Sequence, residues 1–445
     1  MRAIIVVLVA AVVACEPSRD TVLEPRLPTD TAAPTLTILS PSRTRVDENG
    51  DHLVDLRVVW ADSGSGIDVA SAAVTHRLDV PRADAAVTAL ADWIVETIDT
   101  VGLRAHENLI HLLSAGSGRL EVAVADRAGN VGRASIEIDL AFGEQLTTIA
   151  TGIGAGSGMH LVLCPDDRKV YMTGGRNIIV VDADTLALEG IYRDPYAADW
   201  LNRPLCLPGD SILLVASRVD HFDRKNRRWL PPIPGSFGAY SMAQSRRQAS
   251  LVYVAEYGGF VGLYDRDSSR RLATVPLPPP RYTSGYTWDV AVTPDDQTLY
   301  VARGGEPLLV VDPQTGTVLA ELAESVYALH LSRASDRLWA LTELGLWAYR
   351  TDLNTPVSFF RAAFAQEFAI SPDERRAFIT TQDLADTIPG DNLLIDINSN
   401  AVLQRFPRPH PPGTFRWDGG AVFHPLGHLV FVGRDRDIDV YLVRP

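Results

Sequence analysis

The feature that most constrains this chain is a repeat running through residues 144–445. Each copy has an apolar strand, a Pro-Asp-Asp-like turn, a second apolar strand, a short turn and a third strand that ends near an aspartate. Val290-Ala-Val-Thr-Pro-Asp-Asp-Gln-Thr-Leu-Tyr-Val-Ala302, continued by Leu308-Leu-Val-Val-Asp312 and Thr317-Val-Leu-Ala-Glu-Leu322, is the cleanest copy. Others begin at Leu161, Phe368 and Ala421, with degenerate copies near Pro204, Met242 and Tyr327. The third strands end at Asp182, Asp223, Asp265, Asp312, Arg350, Asp396 and Tyr441, giving spacings of 41, 42, 47, 38, 46 and 45 residues. Periods of about 40–50 residues with four short strands each predict propeller blades, here seven of them. The seventh copy stops after its third strand. Residues 144–150, just before the first copy, are therefore expected to supply its outer strand and close the ring without open edges.

Leu299-Tyr-Val-Ala302 and Leu251-Val-Tyr-Val-Ala255 resemble the YVTN-repeat family of seven-bladed propellers. The resemblance implies the fold of residues 142–445 and carries no activity with it.

The residues before the repeat divide into three. Met1-Arg2 precedes twelve apolar residues and then Cys15. Twelve helical residues span about 18 Å, too short for a bilayer core of about 30 Å, so residues 1–14 read as a secretory signal. Val12-Val-Ala-Cys15 resembles the bacterial lipobox, which implies lipidation of Cys15 and anchoring in the cell envelope. Glu16 in place of aspartate favours an outer-membrane or surface location in that scheme. Residues 15–34 carry Pro17, Pro25, Pro28 and Pro34 among polar residues and read as an extended tether.

Residues 35–141 alternate at period two in 35–39, 53–60, 120–124 and 134–140, with less regular strands expected at 93–98 and 109–113. About seven short strands predict an immunoglobulin-like β-sandwich. Asp62-Ser-Gly-Ser-Gly-Ile-Asp68 and Asp126-Arg-Ala-Gly-Asn130 resemble the loops of bacterial Ig-like surface domains. In such a sandwich the two loops share a pole, where Asp62, Asp68, Asp126 and Asn130 are weak candidates to hold Ca²⁺ through oxygen ligands. Asp, Asn and Gly also serve plain turn geometry there.

The net charge of −14 argues against a nucleic-acid partner held through phosphates. Three cysteines make no disulfide framework. Cys164 and Cys206 fall in successive blades, and a disulfide needs Cα atoms within about 7 Å. Inner strands of neighbouring blades are usually farther apart, so two free thiols are expected. Gly152-Ile-Gly-Ala-Gly-Ser-Gly158 precedes a strand and cannot deliver a phosphate to a helix N-terminus. His106-Glu107 starts an HExxH that Ile110 breaks, and no GxSxG elbow is present.

Counting back five residues from each turn proline, or its equivalent, reaches the start of each innermost strand: His160, Arg203, Met242, Asp289, Ala328, Glu367 and Gly420. In a propeller these converge on the mouth of the central channel. His160, Arg203, Asp289 and Glu367 are ionisable, and nearby loops add aromatics including Tyr196, Trp200, Tyr240, Tyr286, Trp288 and Trp417. Such a mouth suits a small molecule or peptide. The plainer alternative is that these charges pair across a water-filled channel and the aromatics pack between blades, whereas a metal on His160, Asp289 and Glu367 would point to catalysis. The expected function is a binding or interaction scaffold anchored in the envelope. The alternatives are a hydrolase or lyase, because lactonase-type propellers place acids, His and Arg over the channel mouth, and a cell-envelope assembly or cofactor-delivery factor.

Overall fold

The computed structural model describes residues 30–40, 53–78, 93–108, 118–138, 145–153, 160–197, 200–207, 209, 211–235, 238–281, 286–362, 365–381, 391–406, 418–434 and 437–443. The expected signal and the expected tether up to residue 29, Cys15 among them, Trp417 and most of the 152–158 glycine segment lie outside them. The described residues are all-β, and no helix among them is long and apolar enough to cross a membrane.

Seven four-stranded antiparallel sheets account for the repeat, and the chain folds as a β-propeller. Six blades are consecutive in sequence, from Leu161–Cys164 to Ala401–Phe406. The seventh combines Asp418–Phe423, Leu429–Arg434 and Asp437–Leu442 with Gln145–Ala150, which pairs antiparallel with Asp437–Leu442 from Asp437↔Ala150 to Tyr441↔Gln145. Each blade's first strand is its innermost. These strands touch in sequence around the axis, and Asp418–Phe423 returns to Leu161–Cys164.

The repeat has local physical reasons. Asp182, Asp265, Asp312 and Asp396 recur because each carboxylate accepts a backbone N–H two residues on, at 2.8–3.0 Å, and so fixes the turn into the outer strand. In the hairpins between first and second strands of the fourth, sixth and seventh blades, the residue two after the proline is left-handed: Asp296, Glu374 and Gly427 have φ of 53°, 55° and 78°. Between those turns the second and third strands are buried on both faces, as in Pro307–Val311. The outer strands are exposed, as in Arg270–Thr274. Apolar side chains from facing blades interlock around Trp339, Tyr300, Phe222 and Phe378, each under 2% exposed. Burying a side chain of this kind stabilises by about 1.5–3 kcal/mol.

Cys164 and Cys206 are joined as a disulfide with Cα atoms 5.5 Å apart, which corrects the expectation of two free thiols. They lie on innermost strands, Leu161–Cys164 and Pro204–Cys206, where blades crowd closest to the axis. Their separation there falls inside the range a disulfide accepts.

The residues before the propeller form two further sheets. One has Thr35–Ser40, Leu53–Ala61, Gly102–Asn108 and Ile94–Ile98 in that spatial order; the other has Ile67–Leu78, Gly118–Asp126 and Val131–Ile138. Leu56, Val58, Trp60 and Leu103 of the first and Val74, Leu120, Val122 and Val124 of the second are buried in one apolar cluster. The strand expected at 109–113 lies outside the described residues.

Candidate functional site

Where inner strands enter the propeller, their pairing with the second strand slips by one residue. The slip falls between Ala239 and Ser241, Thr287 and Asp289, Val326 and Ala328, and Ala365 and Glu367. A bulge of this kind leaves one residue unpaired and turns the next toward a new direction. Here it separates two sets of side chains.

In the first set, Ser241, Asp289 and Glu367 follow the bulge and meet Arg203 and His160 at the channel mouth. Arg203 of the second blade reaches across to Asp289 of the fourth and Glu367 of the sixth, donating to both carboxylates. His160 Nδ1 of the first blade lies 3.4 Å from Glu367 Oε1. Asp289 is 4% exposed and fully engaged: its Oδ2 also accepts Leu329 N–H at 2.7 Å, and its Oδ1 accepts the Ser241 hydroxyl. Thr380, which pairs with Glu367 in the sheet, donates its hydroxyl to the Gly419 carbonyl at 3.3 Å and so ties the sixth blade to the seventh. Burial pushes the Glu367 carboxyl up, but Arg203 and His160 outweigh it and hold the group at about 2. Arg203 is raised in spite of its burial by the same two carboxylates.

The structure thus brings His160, Arg203, Asp289 and Glu367 together, and it spends their charge on one another. The third blade contributes Ser241 to this ring. Met242, counted into the ring from sequence, is 7% exposed and packs between the second and third blades, one position off because that hairpin lacks the proline that sets the count.

The second set consists of the bulged residues themselves. Tyr240, Trp288 and Tyr327 occupy this position in the third, fourth and fifth blades. With Tyr286 and Tyr257 they form one aromatic belt: Tyr240–Trp288 centroids are 5.4 Å apart, Tyr240–Tyr286 5.6 Å, Tyr286–Trp288 5.5 Å, Tyr257–Tyr286 5.0 Å and Trp288–Tyr327 6.4 Å. Gly304 makes room for it, since a Cβ there would fall 2.8 Å from Trp288 Nε1. That indole N–H is buried without a hydrogen-bond partner, while Tyr257 is 59% exposed. Trp288 therefore belongs to this belt and is no partner of the channel charges. Tyr257 and Tyr327 were not legible as site residues from sequence; the signal that finds Tyr327 is its place just before Ala328, equivalent to Trp288 before Asp289.

The loop residues of the N-terminal unit regroup as well. Asp30, Asp62 and Asp126 bring carboxylate oxygens within 4.8 Å of one another. Asp30 Oδ2 accepts Ser65 N–H at 2.7 Å, and Asp62 Oδ2 accepts Gly66 N–H at 2.6 Å. Asp62 Oδ1 is buried with no hydrogen-bond partner. Asn130 adds its amide N–H to Asp126 Oδ2 at 2.7 Å and to the Asp30 carbonyl at 3.0 Å. Backbone N–H groups of Ser65 and Ala32 lower the Asp30 pKa. At Asp126, burial pushes up and the Asn130 bonds win, again lowering it. Asp68 stays outside: it is exposed, and its Oδ1 accepts Ala70 N–H at 3.2 Å. Sequence spacing missed Asp30 because it precedes the first strand.

No family model and no curated protein matches the chain. Among solved structures, the β-propeller domain of Cps50 (Swd1) from Myceliophteria thermophila is similar over 67% of this chain and 100% of its own, at 12% identity and a TM-score of 0.54. A chain of the mitotic checkpoint complex is similar over 68% of this chain and 93% of its own, at 13% identity and a TM-score of 0.56. Likeness at this identity concerns the fold alone.

Proposed function

We propose that this chain is a binding and interaction scaffold of the cell envelope, anchored through Cys15 and presenting the aromatic belt of its propeller to a protein partner. The observation that carries the reading is the belt. Three successive blades use the same bulged position for a large aromatic, and such rings offer wide contact area at low entropic cost. The channel-mouth charges support a scaffold over a hydrolase or lyase, because Arg203 spans Asp289 and Glu367 and His160 stands beside Glu367. One similar fold was solved within a multiprotein complex.

The envelope assignment draws on the Val12–Cys15 motif and on the Cys164–Cys206 disulfide, a bond that persists in oxidising compartments. The repeat reads as the YVTN type. The N-terminal unit reads as an immunoglobulin-like sandwich, supported by its spatial order first-second-fifth-fourth opposite third-sixth-seventh. Its pole reads as a Ca²⁺ site formed by Asp30, Asp62 and Asp126, oxygen donors of the kind that ion takes.

The test is a photo-crosslinking amino acid placed at Tyr257 in the full chain in cells, with Leu319 on an outer strand as control. A discrete protein adduct at 257 and none at 319 is expected. Absence of any adduct at 257, or the same adducts at both positions, overturns the reading. Palmitate labelling lost in Cys15→Ala tests the anchor.

A further inference from the structure

The third and fourth blades part at the end of the propeller opposite the channel mouth. Asp289 stands at the mouth near the start of Thr287–Val292, and the turn holding Asp296 lies past the far end of that strand. Between the two blades there is a cavity of about 610 Å³. That size takes a drug-sized molecule or a short stretch of peptide.

Its wall is largely apolar. Tyr253, Leu263 and Ala273 stand side by side across the third blade and so share one face, and Leu251, two residues before Tyr253, joins them. Tyr253 is 6% exposed, with its ring in the same apolar cluster as Val292 and Val311 of the fourth blade. Its hydroxyl makes no hydrogen bond among the described residues, although the side chain borders the cavity.

Asp296 borders the same space. Its Oδ2 accepts the Ser245 hydroxyl, while its Oδ1 is buried with no hydrogen-bond partner. Arg247, on the facing hairpin, spends an N–H on the Asp295 carbonyl at 3.2 Å instead. Burial first, and then the Asp296 charge, push the Tyr253 phenol up to about 12, so it stays neutral. A carboxylate met only by a neutral hydroxyl, beside an unbonded phenol in an apolar cavity, calls for a cation on an apolar stem. Since Ser245 occupies Oδ2, one oxygen remains. A compact ammonium suits it better than the two-pronged fork of arginine. The exposed amides of Gln248 and Gln314 border the cavity too, and their N–H groups suit backbone carbonyls.

We propose that this cavity is a recognition site for a lysine side chain of an extended peptide. The stem lies along Leu251, Leu263 and Val275, the ammonium sits between Asp296 and the Tyr253 hydroxyl, and peptide carbonyls meet Gln248 and Gln314. The site lies on the other face from the aromatic belt and does not rest on that reading.

The test uses the full chain and the capped peptide acetyl-Ala-Ala-Lys-Ala-Ala-amide at low ionic strength, with binding followed by ligand-observed NMR. Saturable binding is expected, weakened about tenfold or more when norleucine replaces the peptide's lysine, and equally in Asp296→Asn. Asparagine keeps the backbone, since it accepts the left-handed φ of 53° that Asp296 holds. Tyr253→Phe removes the hydroxyl alone and should weaken binding several-fold, which keeps the proposal testable should Asp296→Asn not fold. No saturable binding of the lysine peptide, or equal affinity for the lysine and norleucine peptides, overturns the proposal. So does an affinity unchanged in Asp296→Asn. Binding of n-butylammonium as tight as that of the peptide also overturns it, since the site would then take a free amine.

Discussion

The channel mouth and the acid cluster of the N-terminal unit both gather carboxylates from segments distant in sequence, and they handle them in opposite ways. At the mouth, Arg203 answers Asp289 and Glu367, and His160, Ser241 and Leu329 N–H complete the set. At the N-terminal pole, Asp30, Asp62 and Asp126 are met by neutral donors, the backbone N–H groups, the Asn130 amide and the Ser65 hydroxyl, and Asp62 Oδ1 is left over. A self-answering cluster behaves as a brace, and removing part of it leaves a buried charge behind. A cluster with an oxygen to spare asks for a partner from outside. The lesson is that the number of ionisable residues at a convergent point says little about binding until their mutual pairing is known.

The largest effect should come from unpairing the brace. Asp289→Asn with Glu367→Gln leaves Arg203 buried without a carboxylate, and a loss of about 3–5 kcal/mol in unfolding free energy is expected. A melt indistinguishable from wild type would place these charges among dispensable surface pairs and erase the contrast.

Acid titration sharpens it. Glu367 has its pKa depressed from 4.5 to about 2, so its contribution is present above its unfolded value and lost as pH falls from about 4.5 toward 2. That shift is worth on the order of 3 kcal/mol, and Glu367→Gln should flatten the acid limb of stability over this window. An acid limb unchanged by the substitution would mean that Arg203 does not hold the group.

Oxidation state probes the same ring covalently. Cys164→Ser with Cys206→Ser should cost about 2–4 kcal/mol, measured by denaturant unfolding. If the loss is much smaller, the ionic contacts of the first two blades carry that joint unaided.

The smallest effect belongs to the cluster with an oxygen to spare. Ca²⁺ at a hundredfold excess over its dissociation constant should stabilise the N-terminal unit by about 2.7 kcal/mol, and Asp62→Asn should abolish the gain. Identical melts in Ca²⁺ and in chelator would make the acids turn formers only, and the two clusters would then differ in degree.

Much of the propeller was legible because its signals are local. An aspartate that caps its own turn recurs in the first, third, fourth and sixth blades, and a proline two residues before a left-handed position in the fourth, sixth and seventh, so spacing reveals them. The ring positions were legible for the same reason, and failed at Met242 where the third blade's hairpin lacks the proline. The pairing of Arg203 with Asp289 and Glu367 was not legible, since it joins residues 86 and 164 positions apart across an axis that only the closed ring creates. The disulfide escaped for a related reason: its distance depends on how tightly innermost strands crowd. The belt was half legible. Tyr240, Tyr286 and Trp288 were visible as loop aromatics, but one-residue bulges decide which side chains leave the sheet, and no composition signal marks a bulge.

The pairing of Gln145–Ala150 with Asp437–Leu442 also settles how the molecule would bear force. Any pull arriving from residues before 145 enters the ring through that single outer strand. It must break the hydrogen bonds of this ladder before another blade is loaded, and once they part the first and last blades depend on the packing of Asp418–Phe423 against Leu161–Cys164 and on contacts such as His424–Asp184 at 3.2 Å. The clasp is the molecule's mechanical fuse, and its length sets the tension the propeller survives.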